Sequence, residues 1–153
     1  MKVDFIEPED LRYRIELNDQ NFHIIDLRDY DYGVGYIRTP TPEQYHHITT
    51  EEFTAEVAKQ LISENISNQL PNNSKIDFIF HCFYSQQRGP TAAMKMLSIV
   101  ENLDDSSVES RIGIKVLRGG WGLWNTRFFN DDKVIIRLPD SEEESTSSED
   151  DDE

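Results

Sequence analysis

The sequence predicts an α/β fold, a parallel sheet with helices on both of its faces. Three observations carry this. The run Ile76–His81 (IDFIFH) is apolar at Ile76 and at the three successive positions Phe78, Ile79 and Phe80, the composition of a strand buried on both faces. Phe22–Asp26 (FHIID) and Ile112–Leu117 (IGIKVL) are two further compact β-prone runs. Segments with helical spacing of apolar residues separate these runs, and such alternation is the pattern of parallel sheets with crossover helices.

Taken in order, Val3–Ile6 reads as a short strand. Pro8 opens a short helix reaching Leu17, because a first turn needs no N–H from proline. After FHIID, Gly33 and Gly35 punctuate a loop ahead of Tyr36 and Ile37. His46 and His47 fall in a loop, with no cysteine beside them to suggest a metal. Thr49 starts a longer helix, since Glu52 three residues on completes a capping box. Phe53, Val57 and Leu61 follow at a spacing of four and share one face. Leu70, Pro71, Asn72 and Asn73 end that region. Gly89 and Pro90 lead into the helix TAAMKMLSIVENL, with Ala92, Met96, Ile99 and Val100 inward. Gly119 and Gly120 turn the last core strand into a helix that packs Trp121 and Trp124.

The 153 residues suit one domain with its own core. The sole cysteine, Cys82, rules out an internal disulfide and the multi-cysteine zinc patterns, and fits a reducing compartment. No apolar run approaches the roughly 20 residues of a membrane helix, and the first ten residues carry acids where a secretory signal is apolar. We expect a soluble protein of the cytoplasm or nucleus. The formal charge is −15, but nine of the acids lie in residues 140–153, which leaves −6 for residues 1–139. Without a basic stripe, neither nucleic acid nor an anionic membrane is an expected partner. The tail has no apolar residue after Leu138, so disorder is expected from Asp140 to the end, with one folded domain over 1–139. Ser141, Ser147 and Ser148 each stand three residues before an acid. That pattern suits an acidophilic kinase, the acids suit a basic protein partner, and a merely solvating tail fits equally.

The chemistry concentrates in HCFYSQQRGP (residues 81–90), between the most apolar strand and a helix. Ligands of open parallel sheets bind at the carboxyl ends of strands. Five residues separate Cys82 from Arg88, enough for a loop to wrap a tetrahedral anion with backbone N–H groups inward. The positive end of the following helix faces the same point, and Arg88 can hold two anion oxygens through its planar fork. Such a position favours thiolate over thiol, and a thiolate aimed at bound phosphate or arsenate is a nucleophile. A free cysteine at a strand end is more often a small buried hydrophobe. Two glutamines, a serine and an arginine beside it argue against that.

Three stretches resemble a rhodanese-homology domain of the branch that holds the M-phase inducer dual-specificity phosphatases and the eukaryotic arsenate reductases. They are IIDLRDYDYGVGYI (24–37), IFHCFYSQQRGPTAA (79–93) and VLRGGWGLW (116–124). Small fungal homologues of the inducer phosphatases are the most similar in character. The resemblance implies a rhodanese-like fold with five parallel strands and no cofactor. It implies Cys82 as the nucleophile forming a phosphocysteine and Arg88 as the residue binding substrate and stabilising the transferring phosphoryl group. The backbone amides of Phe83, Tyr84, Ser85, Gln86, Gln87 and Arg88 would make the cradle. Asp26 and Arg28 match a structural pair, and His81 braces the loop from the strand end.

The departures are informative. The inducer phosphatases carry acids inside this loop, where Phe83 and Gln87 stand here. Asp29, Asp31 and Tyr84 are the substitutes the sequence offers as general acid. Tyr36 replaces the histidine of a G-H-I motif, and no second cysteine exists to trap an oxidised Cys82. Phe83 and Tyr84 are candidates for an aromatic rim around an aryl phosphate. The reading is therefore a protein tyrosine or dual-specificity-like phosphatase, acting on a phosphorylated protein or a small phosphate ester. The alternatives, in order, are arsenate reduction with glutathione and glutaredoxin, thiosulfate sulfur transfer, for which related enzymes use a loop one residue shorter, and non-catalytic capture of a phosphorylated partner.

Overall fold

The computed structural model describes residues 1–67 and 74–139, so the turn expected at 70–73 and the tail from Asp140 lie outside the described residues. The chain runs through β1 (Val3–Ile6), α1 (Pro8–Glu16), β2 (Phe22–Asp26), β3 (Gly35–Ile37), a 3₁₀ turn (Pro42–Gln44), β4 (Tyr45–His47) and α2 (Ala55–Ser67). It continues through β5 (Ile76–His81), α3 (Arg88–Asn102), α4 (Ser106–Glu109), β6 (Ile112–Leu117), α5 (Gly120–Arg127) and β7 (Ile135–Arg137). Five strands pair in the order β1-β6-β5-β2-β4, all parallel. The expected α/β, rhodanese-like sheet is what the chain forms.

Side chains alternate across a strand, so each sheet face needs its own cover. Phe78 and Phe80 of β5 point to the side covered by α2 and α3, where Leu61, Ala92, Met96 and Val100 meet them. Ile79, Ile24 and Leu117 point to the other side, where Leu11 of α1 and Trp121 and Trp124 of α5 close the core. Trp124 Nε1 finds a buried acceptor in Val134 O at 3.1 Å. With β5 in the centre, its carboxyl end is the best-supported point of the sheet, and Cys82 follows directly.

Four local expectations need correction. His46 and His47 are not in a loop: they form the edge strand β4, opposite Ile25 and Asp26. Backbone pairing at an edge asks little of the side chains, so no apolar pattern announces it. The Thr49–Glu52 box forms, with Thr49 N–H on Glu52 Oε1 (3.0 Å) and Glu52 N–H on Thr49 Oγ1 (3.4 Å), but it closes a turn. The helix starts afresh at Ala55, where Thr54 Oγ1 accepts the N–H of Val57 at 3.2 Å. Phe53 lies between the two and packs edge-on against Phe80. Further along, α3 begins at Arg88 rather than after Pro90, since Pro90 occupies the third helical position, where its N–H would be unused. Finally, Gly35, expected in the loop, opens β3, which pairs antiparallel with β7 in a second small sheet.

Candidate active site

The carboxyl end of β5 delivers Cys82 into a loop that closes at the first turn of α3. Its thiol is 3% exposed, and Sγ accepts the N–H of Gly89 at 3.4 Å. Gly89 lets the helix approach the strand closely, since a Cβ there would stand 3.2 Å from His81 Cα, a tight contact with backbone. Ser85 takes φ +58°, a left-handed conformation that lets so short a loop curl. Among the described residues, none of the six backbone N–H groups from Phe83 to Arg88 donates a hydrogen bond. Those of exposed Tyr84, Gln86 and Gln87 can be met by water, and all six are available to an outside acceptor. A depression of about 150 Å³ lies here, lined by Cys82, Tyr84, Gln86, Gln87 and Arg88. A larger cavity of about 560 Å³ sits at the amino ends of β1 and β6 and holds none of the predicted residues.

The back of the loop is held by α5. Trp121 N–H donates to Cys82 O at 3.0 Å and Gly122 N–H to Phe83 O at 2.8 Å. His81 Nδ1 also donates to Cys82 O, at 3.0 Å, which fixes its proton on that nitrogen and makes it the expected brace. Burial pushes the His81 ring toward its neutral form. Its Nε2 stands 3.7 Å from Asp26 Oδ2.

Asp26 and Arg28 form the buried pair the resemblance implied. Arg28 is 0% exposed and binds Asp26 side-on, with Nε–Oδ1 at 3.0 Å and Nη2–Oδ2 at 2.7 Å. Its remaining donors reach Tyr32 O (2.7 Å) and Gly35 O (2.9 Å), and its plane lies between the rings of Tyr32 and Trp121. Tyr45 Oη donates to Asp26 Oδ2 at 2.6 Å. Burial opposes the Asp26 charge, but the charge that His81 carries once protonated, together with Arg28 and Tyr45, outweighs it and holds the carboxyl at about 2.

The loop after β2 brings Asp29 and Asp31 to Arg88. Asp31 binds it through both oxygens, Oδ1–Nη1 at 3.0 Å and Oδ2–Nη2 at 2.5 Å, and Asp29 Oδ1 lies 3.4 Å from Nη1. The Arg88 bond holds the Asp31 carboxyl below the usual carboxylate range. Asp31 therefore stays ionised, which is the wrong state for a general acid. Of the two expected rim aromatics, Tyr84 is 62% exposed, whereas Phe83 is half-buried against the core and meets Tyr84 edge-on. Tyr84 lines the depression and Phe83 serves packing. Tyr36, in place of the expected histidine, stacks on Tyr45.

Sequence reading missed three contributors: the Trp121 and Gly122 amides behind the loop, Tyr45 on Asp26, and Asp31 as the arginine's partner. The Gly-Gly-Trp turn was the visible signal for the first. The other two come from residues distant in sequence and had none.

Fold and site together define a rhodanese-homology domain with an HC-x5-R loop at the carboxyl end of the central strand. No family model matches the chain. It is 34% identical over 121 residues to the CDC25-like phosphatase YCH1 of Saccharomyces cerevisiae, covering 78% of this chain and 76% of that protein. It is 29% identical over 124 residues to Arsenical-resistance protein 2 of the same yeast, covering 81% and 89%. The solved structure of Ygr203w, a yeast protein tyrosine phosphatase of the rhodanese family, superposes with a TM-score of 0.74 at 27% identity, covering 91% of this chain and 95% of that one. The chain belongs to this family of small rhodanese-like phosphatases and arsenate reductases.

Proposed function

We propose that this protein hydrolyses phosphate monoesters with Cys82 as nucleophile. The observation that carries the reading is the buried Cys82 sulfur, met by the Gly89 N–H at 3.4 Å in the first turn of α3, with Arg88 lining the same depression and the loop amides between them unpaired among the described residues. A phosphoryl group there has its non-bridging oxygens met by oriented donors whose dipoles need no reorganisation as charge shifts. The thiolate attacks phosphorus, an S–P bond forms, and the P–O bond to the alcohol breaks. The departing alkoxide takes a proton, for which Asp29 and Tyr84 are the remaining side-chain donors near the loop. Water then attacks the phosphocysteine and releases inorganic phosphate and the thiolate.

The phosphatase names of relatives support a phosphorylated substrate. The depression is shallow and bounded by a single exposed aromatic, Tyr84, so it fits alkyl as well as aryl esters and favours the dual-specificity reading. The test is hydrolysis of p-nitrophenyl phosphate near pH 6 by wild type and Cys82→Ser in parallel. Activity in the first that vanishes in the second is expected. No activity in either overturns the reading.

A second reading is favoured by the similarity to Arsenical-resistance protein 2. The same cradle accepts arsenate, and a lone cysteine suffices when two external glutathione thiols supply both electrons and leave as the disulfide, with arsenite released. Arsenate-dependent oxidation of glutathione, absent in Cys82→Ser, would establish it.

A further inference from the structure

Asp31 was a candidate proton donor, and its geometry assigns it another task. Its carboxylate meets the far end of the Arg88 guanidinium, taking one hydrogen from each of Nη1 and Nη2. That fork-on-fork arrangement leaves the Nε–Nη2 edge with two hydrogens that bind nothing among the described residues. Arg88 and Cys82 line the same depression. The free edge is thus the one that can clasp two oxygens of an anion seated over the sulfur.

Asp31 itself is rigidly placed. Residue 32, the next along, gives its carbonyl to buried Arg28, and its ring stacks on His47 at 4.0 Å. Asp29 N–H donates back to Asp31 Oδ1 at 3.2 Å. Beyond the turn, Val34 O accepts Leu138 N–H at 2.7 Å, so the loop is tied on both sides. The buried Asp26–Arg28 pair therefore supports the loop, the loop fixes Asp31, and Asp31 fixes the arginine. A free arginine side chain has several rotamers to lose on binding, and a preset one does not.

We propose that Asp31 is a positioning residue that presets the Arg88 guanidinium for bidentate capture of a tetrahedral oxyanion. The proposal rests on the phosphatase reading for its kinetics but not for its binding. The carboxylate does not compete for the same hydrogens, because it uses the Nη1–Nη2 end of the guanidinium and leaves those of the adjacent Nε–Nη2 edge free.

The test uses the full chain. Inorganic phosphate binding is measured by calorimetry on Cys82→Ser, with and without Asp31→Asn, and kinetics are measured on Asp31→Asn and Asp31→Glu with p-nitrophenyl phosphate and an alkyl phosphate. Asp31→Asn should weaken phosphate binding about tenfold and lower kcat/KM for both esters together, by roughly ten- to a hundredfold. Asp31→Glu, which keeps the charge, should recover part of it, and the melting temperature should stay close to that of wild type. Unchanged or tighter phosphate binding in Asp31→Asn overturns the proposal. A loss confined to the alkyl ester, with the acidic limb of the pH profile removed, would make Asp31 a proton donor instead. If the wild type has no Cys82-dependent turnover, the phosphatase reading fails while the binding measurement still decides on Asp31.

Discussion

The backbone N–H of Trp121 donates to the carbonyl oxygen of Cys82 at 3.0 Å. The helix that ends the core thus clamps the loop that begins the chemistry, and the Trp121 ring also covers buried Arg28. One side chain and its own amide join the loop to the ion pair beneath it.

That clamp depends on Gly120. Its φ is +59°, and a Cβ there would stand 2.5 Å from Cys82 O and 2.6 Å from Phe83 O. Gly120→Ala should cost about 2–4 kcal/mol, from left-handed strain and a backbone clash together. It should also displace the loop, so turnover falls further than stability explains. Urea unfolding and p-nitrophenyl phosphate kinetics on the same preparation check this, and wild-type values for both would refute the clamp.

Asp26 and Arg28 neutralise each other where no water reaches. Asp26→Asn leaves the guanidinium buried without its counter-charge, and the expected loss is about 3–5 kcal/mol. Replacing both at once, by Asp26→Leu with Arg28→Met, removes the stranded charge and should be less destabilising than Asp26→Asn. The comparison by denaturant unfolding decides it, since a double variant as weak as the single would place the energy in packing.

The parallel core was legible because burial on both faces leaves a mark: Phe22–Asp26, Ile76–His81 and Ile112–Leu117 have the bounds their apolar runs suggest. The Cys82 loop was legible because its spacing and flanking elements are local. What was hidden is non-local. The edge strand β4 is held by backbone bonds to β2, and β7 by bonds to β3, neither of which constrains composition. The Thr49 box misled because a capping box satisfies any turn start, and the helix signal beside it was Thr54. Asp31 lies 57 positions from Arg88, so its role needed the fold.

Ser85 is 6% exposed, its hydroxyl has no partner among the described residues, and its φ is positive. Each feature costs folding free energy. Ser85→Gly removes both and should raise stability by about 1–2 kcal/mol. Ser85→Val keeps the strain, adds a branched Cβ and should lower it. Thermal unfolding of the pair checks the ordering, and a less stable Ser85→Gly would mean the hydroxyl has a partner in solution.

His23 and His46 set an acid limit on the fold. They touch across β2 and β4, Nδ1 to Nε2 at 2.9 Å, with His23 also stacked on Phe78. Burial first, and the facing His46 second, push the His23 ring down to about 4, while the bond to the Glu43 backbone works the other way. Burial lowers His46 too, against the charge of Glu64. A histidine depressed in the folded state takes up its proton more readily when unfolded. Stability is therefore complete above the ordinary value of 6.5 and is lost as pH falls toward 4. The His23 share is up to about 3 kcal/mol over that window. Asp26, held at about 2, adds its own loss at lower pH, below the ordinary value of 3.8. His23→Phe keeps the stacking on Phe78 and removes the titration, so its unfolding free energy should change less steeply between pH 6 and 5. Urea titrations at these two pH values, on both proteins, give the slopes directly. Equal slopes would mean that His23 already takes up its proton in the folded state and that the limit lies elsewhere.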